Sequence, residues 1–408
     1  MDHFGPHPSS TFEGYYTKYR LPSGASIALI ISAVPAVDPG APHSIIFSLA
    51  SRLAETNAKP LPPAKPYMIS FTYVSADSKS FWQREYWPDK LIVGDSTSSP
   101  VPGTGSRGFD ITWEGGRFRW TPASGPEELD CISWRVEGQD MLFEARTVRP
   151  NPAIRKEGDP SRGQVSGRVP WHPRHGTSTP AGVLARTPLP IQWHVHSVDS
   201  LCEFTFTSDD PEGIVQESDR SGVAHAHIEK NWAVSFPSAY MWIQARDHDR
   251  AKGICLAGGT LVPGVQAYLV GYQGDLLPSS SPRSPEESPR RFVSFMPPSS
   301  ISLPFLSLGL TSSIDWPSRS AEVDIKGWFT RIRIAAHCEP DTFFNIAAPL
   351  NTGHAADYTT QSFAAIVEVT VWERTWPLPW SAWRQVERNV FERGSLEFGG
   401  GFYKSHSE

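Results

Sequence analysis

No stretch of about 18 apolar residues occurs in this chain, so no membrane-spanning helix is expected. Cysteine is scarce: Cys131, Cys202, Cys255 and Cys338 stand far apart, with no C-x-x-C pair. Four buried thiols are therefore expected rather than two disulfides, which fits a reducing, cytoplasmic setting. There is no N-x-S/T sequon, and the first residues, MDHFGPHPSSTF, hold no basic segment followed by an apolar one. Neither glycosylation nor a signal peptide is expected. Excess positive charge is also missing. With 37 Lys and Arg against 43 Asp and Glu, the net charge is −6, and no dense Lys/Arg cluster offsets it. A nucleic-acid partner is excluded on that balance.

Runs of strong helix formers are few as well, whereas 15 Trp and 38 Pro are present and aromatic residues reach 12%. That composition favours strands and loops. A length of 408 residues exceeds one ordinary core, so two domains are expected. Short β-branched or aromatic runs, bounded by Pro, Gly and Ser, recur at 26–34, 67–74, 118–121, 140–148, 191–196, 202–207, 266–272, 330–336 and 365–372. Helical spacing is confined to 44–55 and 380–393. The breaker-rich stretch 151–182 divides an N-terminal β domain, 1–150, from a C-terminal one, 183–408, and 277–291 reads as a disordered loop.

One motif is dismissed. Gly103-Thr-Gly-Ser-Arg-Gly108 matches a dinucleotide fingerprint, but no strand precedes it and no helix follows it, as that fingerprint requires. Two H-x-H pairs carry more weight: His194/His196 in IQWHVHS and His225/His227 in HAHIEK. Alternate residues of a strand share a face, so His225, His227 and Glu229 should point one way, and Gln192, His194 and His196 should share a face too. Imidazoles and a carboxylate converging in a small barrel could hold a metal, yet the spacing is not a strong zinc pattern. A polar, substrate-facing strand is the preferred reading, with structural histidines as the bland one. Glu229-Lys230-Asn231-Trp232 follows directly. Its bland reading is a turn with a solvated salt bridge. The functional reading is a carboxyl group among aromatic rings, where burial penalises the anion and makes the acid a candidate proton donor.

These residues resemble the tocopherol cyclase family, a branch of the lipocalin-like proteins. The middle block, HIEKNWAVSFPSAYMWIQA, looks like the family signature. FEGYYTK at residues 12–18, the turn Ala257-Gly258-Gly259, AIVEVTVWER at 365–374 and LEFGGG at 396–401 support it in the expected order. The resemblance spans roughly residues 12–402. Ala233 stands where the family has Gly after the signature Trp, and the insertions at 150–182 and 277–291 look private.

What the resemblance implies is two lipocalin-like antiparallel β-barrel or sandwich domains with few short helices. It also implies a cofactor-free, non-redox cyclisation in which an acid protonates a prenyl-type alkene and a phenol oxygen closes onto the cation. The more distantly related carotenoid hydratases run a similar step with water and again point to Glu229. His194 and His196 would deprotonate the phenol, and His227 would relay protons to Glu229. Trp193, Trp232, Tyr240 and Trp242 would wall the cation, at about 1–2 kcal/mol per desolvated ring. Asn231, Tyr16 and Lys18 complete the expected substrate-binding set, although structural pairing is the preferred reading for Lys18. No metal is expected. The partner implied is an apolar aromatic small molecule, such as a prenylated polyketide or meroterpenoid phenol of fungal secondary metabolism. A pericyclase in the same kind of barrel and a non-catalytic carrier are the alternatives.

Overall fold

In the computed structural model of the chain, the described residues are 3–7, 10–34, 65–100, 107–124, 130–149, 168–171, 179–182, 191–210, 212–233, 236–276, 290–303, 306–307, 309–351, 353–378 and 380–403. They are all-β, as expected, and the only helical turns among them are the 3-10 turns Glu217–Asp219 and Pro340–Thr342. The chain divides into two units, each built on one large antiparallel sheet.

The first unit comprises Met1–Ala36, Lys65–Ser178 and Trp193–Trp232. Its strands are β1 (Phe12–Arg20), β2 (Ser26–Ala33), β3 (Tyr67–Val74), β4 (Phe81–Tyr86), β5 (Ile92–Gly94), β6 (Phe109–Trp113), β7 (Gly116–Thr121), β8 (Cys131–Glu137), β9 (Met141–Thr147), β10 (Ile191–Ser208) and β11 (Ser221–Ala233). The sheet order is β4-β3-β2-β1-β11-β10-β9-β8-β7-β6-β5, so β11 is inserted between the first strand and β10. Period-two alternation sends Tyr15, Tyr19, Ile27, Leu29, Phe71 and Tyr73 into one core with Phe118, Trp134, Phe143 and Phe206. Each such side chain contributes about 1.5–3 kcal/mol by leaving water. Phe118 and Trp134 face each other across the β7–β8 pair, with stacked rings 4.2 Å apart.

The second unit comprises Val37–Ala64, Thr179–Gln192 and Ala233–Glu408. It holds β12 (Ala239–Asp247), β13 (Lys252–Val262), β14 (Val265–Leu276), β15 (Arg290–Phe295), β16 (Ile301–Leu303), β17 (Leu306–Ser307), β18 (Leu310–Asp315), β19 (Ser320–Lys326), β20 (Thr330–His337), β21 (Phe344–Leu350), β22 (Gly353–Glu373) and β23 (Arg384–Gly400). Its order is β17-β16-β14-β13-β12-β23-β22-β20-β19-β18, with β15 on β14 and β21 on β22. A second core gathers Met241, Ile243, Leu256, Tyr268, Val270, Val323, Ile334, Val369 and Phe398.

Several expectations shift. The first unit takes up 193–232, which the sequence had placed in the C-terminal domain, because β10 and β11 hydrogen-bond within the first sheet. The runs 191–196 and 202–207 are one strand of 18 residues, since no Gly or Pro interrupts them. The helix read over 380–393 is not formed. Residues 384–393 belong to β23, where pairing with β22 overrides a weak helical period. The helix at 44–55 lies outside the described residues, as do most of 151–182, 277–291 and the glycine motif at 103–108. Residues 109–113, just after that motif, are strand and not helix. All four cysteines are free thiols. Among the described residues, no helix is long and apolar enough to cross a membrane.

Candidate active site

β11 carries the chemistry on alternating faces. Ala224, Ala226 and Ile228 join the first core, while His225, His227 and Glu229 turn to the other side of the sheet, as the alternation required. There Glu229 is buried between an imidazole and an indole. Its Oε1 is 2.6 Å from His227 Nε2, and its Oε2 accepts the indole N–H of Trp193 at 2.8 Å. Trp193 comes from the neighbouring β10 and is itself buried. His225 Nδ1 meets Asp199 Oδ1 at 2.7 Å further along the same face.

β1 extends this face. Ser23 donates to Asp219 at 2.8 Å near one end of the β1–β11 pair, and Gly14 abuts Asn231 near the other. A Cβ on Gly14 would come within 2.5 Å of Asn231 Oδ1, so this glycine permits the close approach. Tyr16 and Lys18 lie between those anchors, on the side opposite the core residues Tyr15 and Tyr19. Burial pushes the Lys18 ammonium down to about 7, and the charge of Arg20 adds to the shift.

His194 and His196 lie elsewhere. With Lys230 and Trp232, they turn toward the core of the first unit. The Trp232 ring stacks on His194 at 4.9 Å and on His7 at 3.9 Å, and His196 lies 4.3 Å from the Phe4 ring. The two H-x-H pairs thus occupy opposite faces and are not arranged to share one metal ion. Nor are His194 and His196 on the face of Glu229, where a phenol base for that acid would be needed.

The segment 3–7 fills this inner face. Phe4 is wholly buried against Tyr15, Phe109, Phe118 and Trp120, and its carbonyl accepts the Tyr15 hydroxyl at 3.0 Å. Lys230 Nζ donates to the carbonyls of His3, Phe4 and Gly5 and pairs with Glu13 at 2.8 Å. Burial alone would raise the Glu13 carboxyl, but hydrogen bonds from His7 and Lys230, and the lysine charge, hold it below its ordinary value. Arg168 lies 5.0 Å over Trp120 and donates to Asp130 at 2.5 Å. Sequence reasoning missed His3, Phe4, His7, Glu13 and Arg168. Only Glu13 had a signal, inside FEGYYTK; the others reach the site from irregular segments that carry no period.

Tyr240 and Trp242 belong to β12 of the second unit. The Tyr240 hydroxyl donates to Glu397 Oε1 at 2.6 Å and meets Thr359 Oγ1 at 2.8 Å, while Gln361 donates to Glu397 Oε2 at 3.0 Å. Burial, then the Glu397 charge, raises the Tyr240 hydroxyl well above its ordinary value. Gly399 lies opposite Tyr240, and a Cβ there would strike the ring, which accounts for a glycine in the LEFGGG block. Trp242 is buried. Glu397, within that same block, was not singled out from the sequence.

Fold and site together define an all-β protein of two antiparallel-sheet units with a buried carboxyl–imidazole–indole cluster in the first. No known protein family matches the chain, and no curated protein does. Among solved structures it is similar to a protein of Nitrosomonas europaea provisionally assigned as AttH, at 10% identity and a TM-score of 0.44, over 98% of this chain and 95% of that one. It is also similar to kievitone hydratase from Nectria haematococca, at 8% identity and a TM-score of 0.46, over 97% and 91%. Likeness at this level leaves the function to be read from the residues themselves.

Proposed function

We propose that the protein is a cofactor-free, non-redox cyclase of a prenylated phenol, with Glu229 and His227 as its acid–base pair. The observation that carries this reading is the buried 2.6 Å contact of Glu229 Oε1 with His227 Nε2, fixed from the other side by the Trp193 indole. A carboxyl group removed from water and held by one titratable partner is suited to give up and take back a single proton. Trp193 fixes the carboxyl orientation and offers an aromatic face to a developing cation.

In the reaction, the acid proton moves to the less substituted alkene carbon and leaves a tertiary cation. The phenol oxygen bonds to the tertiary, cationic carbon and loses its proton to the carboxylate–imidazole pair. The product is a dihydrobenzofuran or chroman isomeric with the substrate, and the acid is restored. Water must be excluded while the cation exists, which a buried site favours. Tyr16, Lys18 and Asn231 share the Glu229 face and are the proposed polar contacts for the phenol. His194, His196 and Trp232 are assigned to the inner face instead, where they support the fold around Phe4.

The test is Glu229→Gln, which keeps the size and hydrogen-bonding reach of the side chain. Turnover of a prenylated phenol should fall by about 10²–10⁴-fold. In D2O the native enzyme should place one deuterium on carbon. Unchanged turnover in the variant, with no deuterium in the product, would favour a pericyclase. Recovery of only unchanged ligand from the native protein would favour a carrier.

A further inference from the structure

The strongest unassigned surface feature lies at one tip of the second unit. The turn between β19 and β20 and the connection between β22 and β23 carry Trp328, Phe329, Trp376 and Trp380, with relative exposures of 74%, 52%, 65% and 79%. Leu378 is exposed beside them. Arg374 ties the two turns together: its N–H donates to the Phe329 carbonyl at 3.0 Å, its Nε to Trp328 O at 2.7 Å and its Nη1 to Leu378 O at 3.0 Å. Gly327 N–H to Thr330 O and Ser381 N–H to Leu378 O close further bonds. The rings therefore stand on turns in which the Trp328, Phe329 and Leu378 carbonyls accept hydrogen bonds from within the protein. Such a surface is disfavoured in water, because the large apolar side chains remain hydrated.

We propose that this tip docks peripherally on a lipid bilayer. Indole suits the headgroup boundary, since its apolar body can enter the acyl region while its N–H stays with the headgroups. Pairing of the Trp328, Phe329 and Leu378 carbonyls lowers the cost of bringing those groups to that boundary. Charge points the same way. The turns and their flanks hold Lys326, Arg331, Arg374 and Arg384 against Asp324 and Glu373, in a chain whose net charge is −6. A locally basic rim on an acidic protein complements anionic headgroups. Interfacial docking by exposed rings needs no spanning helix, and it is independent of the reaction proposed above.

The experiment is co-sedimentation of the full chain with large unilamellar vesicles, either phosphatidylcholine alone or phosphatidylcholine with phosphatidylserine. Brominated acyl chains would serve as a quencher of Trp fluorescence. Native protein should pellet with the vesicles and be quenched. The exposed triple variant Trp328→Ser/Trp376→Ser/Trp380→Ser should bind at least tenfold more weakly and lose most of the quenching. The single variant Trp380→Ser should lose binding by a smaller factor, which covers the case of a misfolded triple variant. Lys326→Glu/Arg384→Glu should weaken binding at least fivefold on the anionic vesicles only. Native protein left in the supernatant with both vesicle types would overturn the proposal. So would binding unaffected by every Trp substitution, or a native dimer that the triple variant converts to monomer, which would make the tip a protein interface.

Discussion

Glu229 and Lys230 are neighbours in the chain and enter opposite environments. On one face of β11, the Glu229 carboxyl is held by an imidazole and an indole. On the other, Lys230 meets the Glu13 carboxylate and three backbone carbonyls, and His7 and Lys230 hold Glu13 ionised. Each face holds a carboxyl group, and that of Glu13 is paired with a fixed cation, Lys230. The contrast separates the carboxyl proposed for reaction from a carboxyl held in an ion pair, on opposite faces of one strand.

The largest expected effect lies on the structural face. Lys230→Met leaves Glu13 buried without its cation and should destabilise the protein by about 3–5 kcal/mol in denaturant titrations. Adding Glu13→Gln to that variant should recover much of the loss. By contrast, Glu229→Gln should change stability by less than about 1.5 kcal/mol while abolishing most turnover. Equal losses of stability at the two positions would remove the distinction between the faces.

Lys18 gives the next effect, because it is a buried cation on the Glu229 face. Its folded value near 7 lies below the unfolded one, so between the two the unfolded chain holds a proton that the native state lacks. Stability should therefore rise with pH, by up to about 4 kcal/mol from pH 7 to pH 10. Lys18→Met should flatten that part of the stability profile, and an unchanged slope would show that Lys18 does not titrate there. Trp193→Phe retains a ring but removes the N–H bound to Glu229. It should lower kcat about tenfold with KM little changed, a split that general packing loss does not produce. The smallest effect is expected for His194→Gln and His196→Gln, which should leave turnover within about threefold. A loss comparable to that of Glu229→Gln would return these histidines to the reaction.

Much of this was legible along the chain. Alternation in HAHIEKNW correctly put His225, His227 and Glu229 on one face, because β pleating fixes side-chain parity wherever a strand forms. Most strand runs were visible for the same reason. The grouping of the polar residues was not. His194 and His196 belong to the inner face because of where β10 stands relative to β11, and no spacing within IQWHVHS encodes that register. Phe4 and His7 were invisible because an irregular segment reaches the core by long-range insertion. The pairing of Tyr240 with Glu397 joins residues 157 positions apart.

By itself the sequence determined the all-β class, the absence of a disulfide framework and the face that each residue of β11 would share with its alternate neighbours. These follow from composition and from the two-residue repeat, which are local properties. The tertiary structure decided that β10 and β11 complete the first unit, that the two histidine pairs are separated by a sheet, and that Glu229 meets Trp193 and His227 while Lys230 meets Glu13. Those outcomes depend on which strands hydrogen-bond side by side. That choice is made by the summed burial of two whole cores, and no single segment contains it.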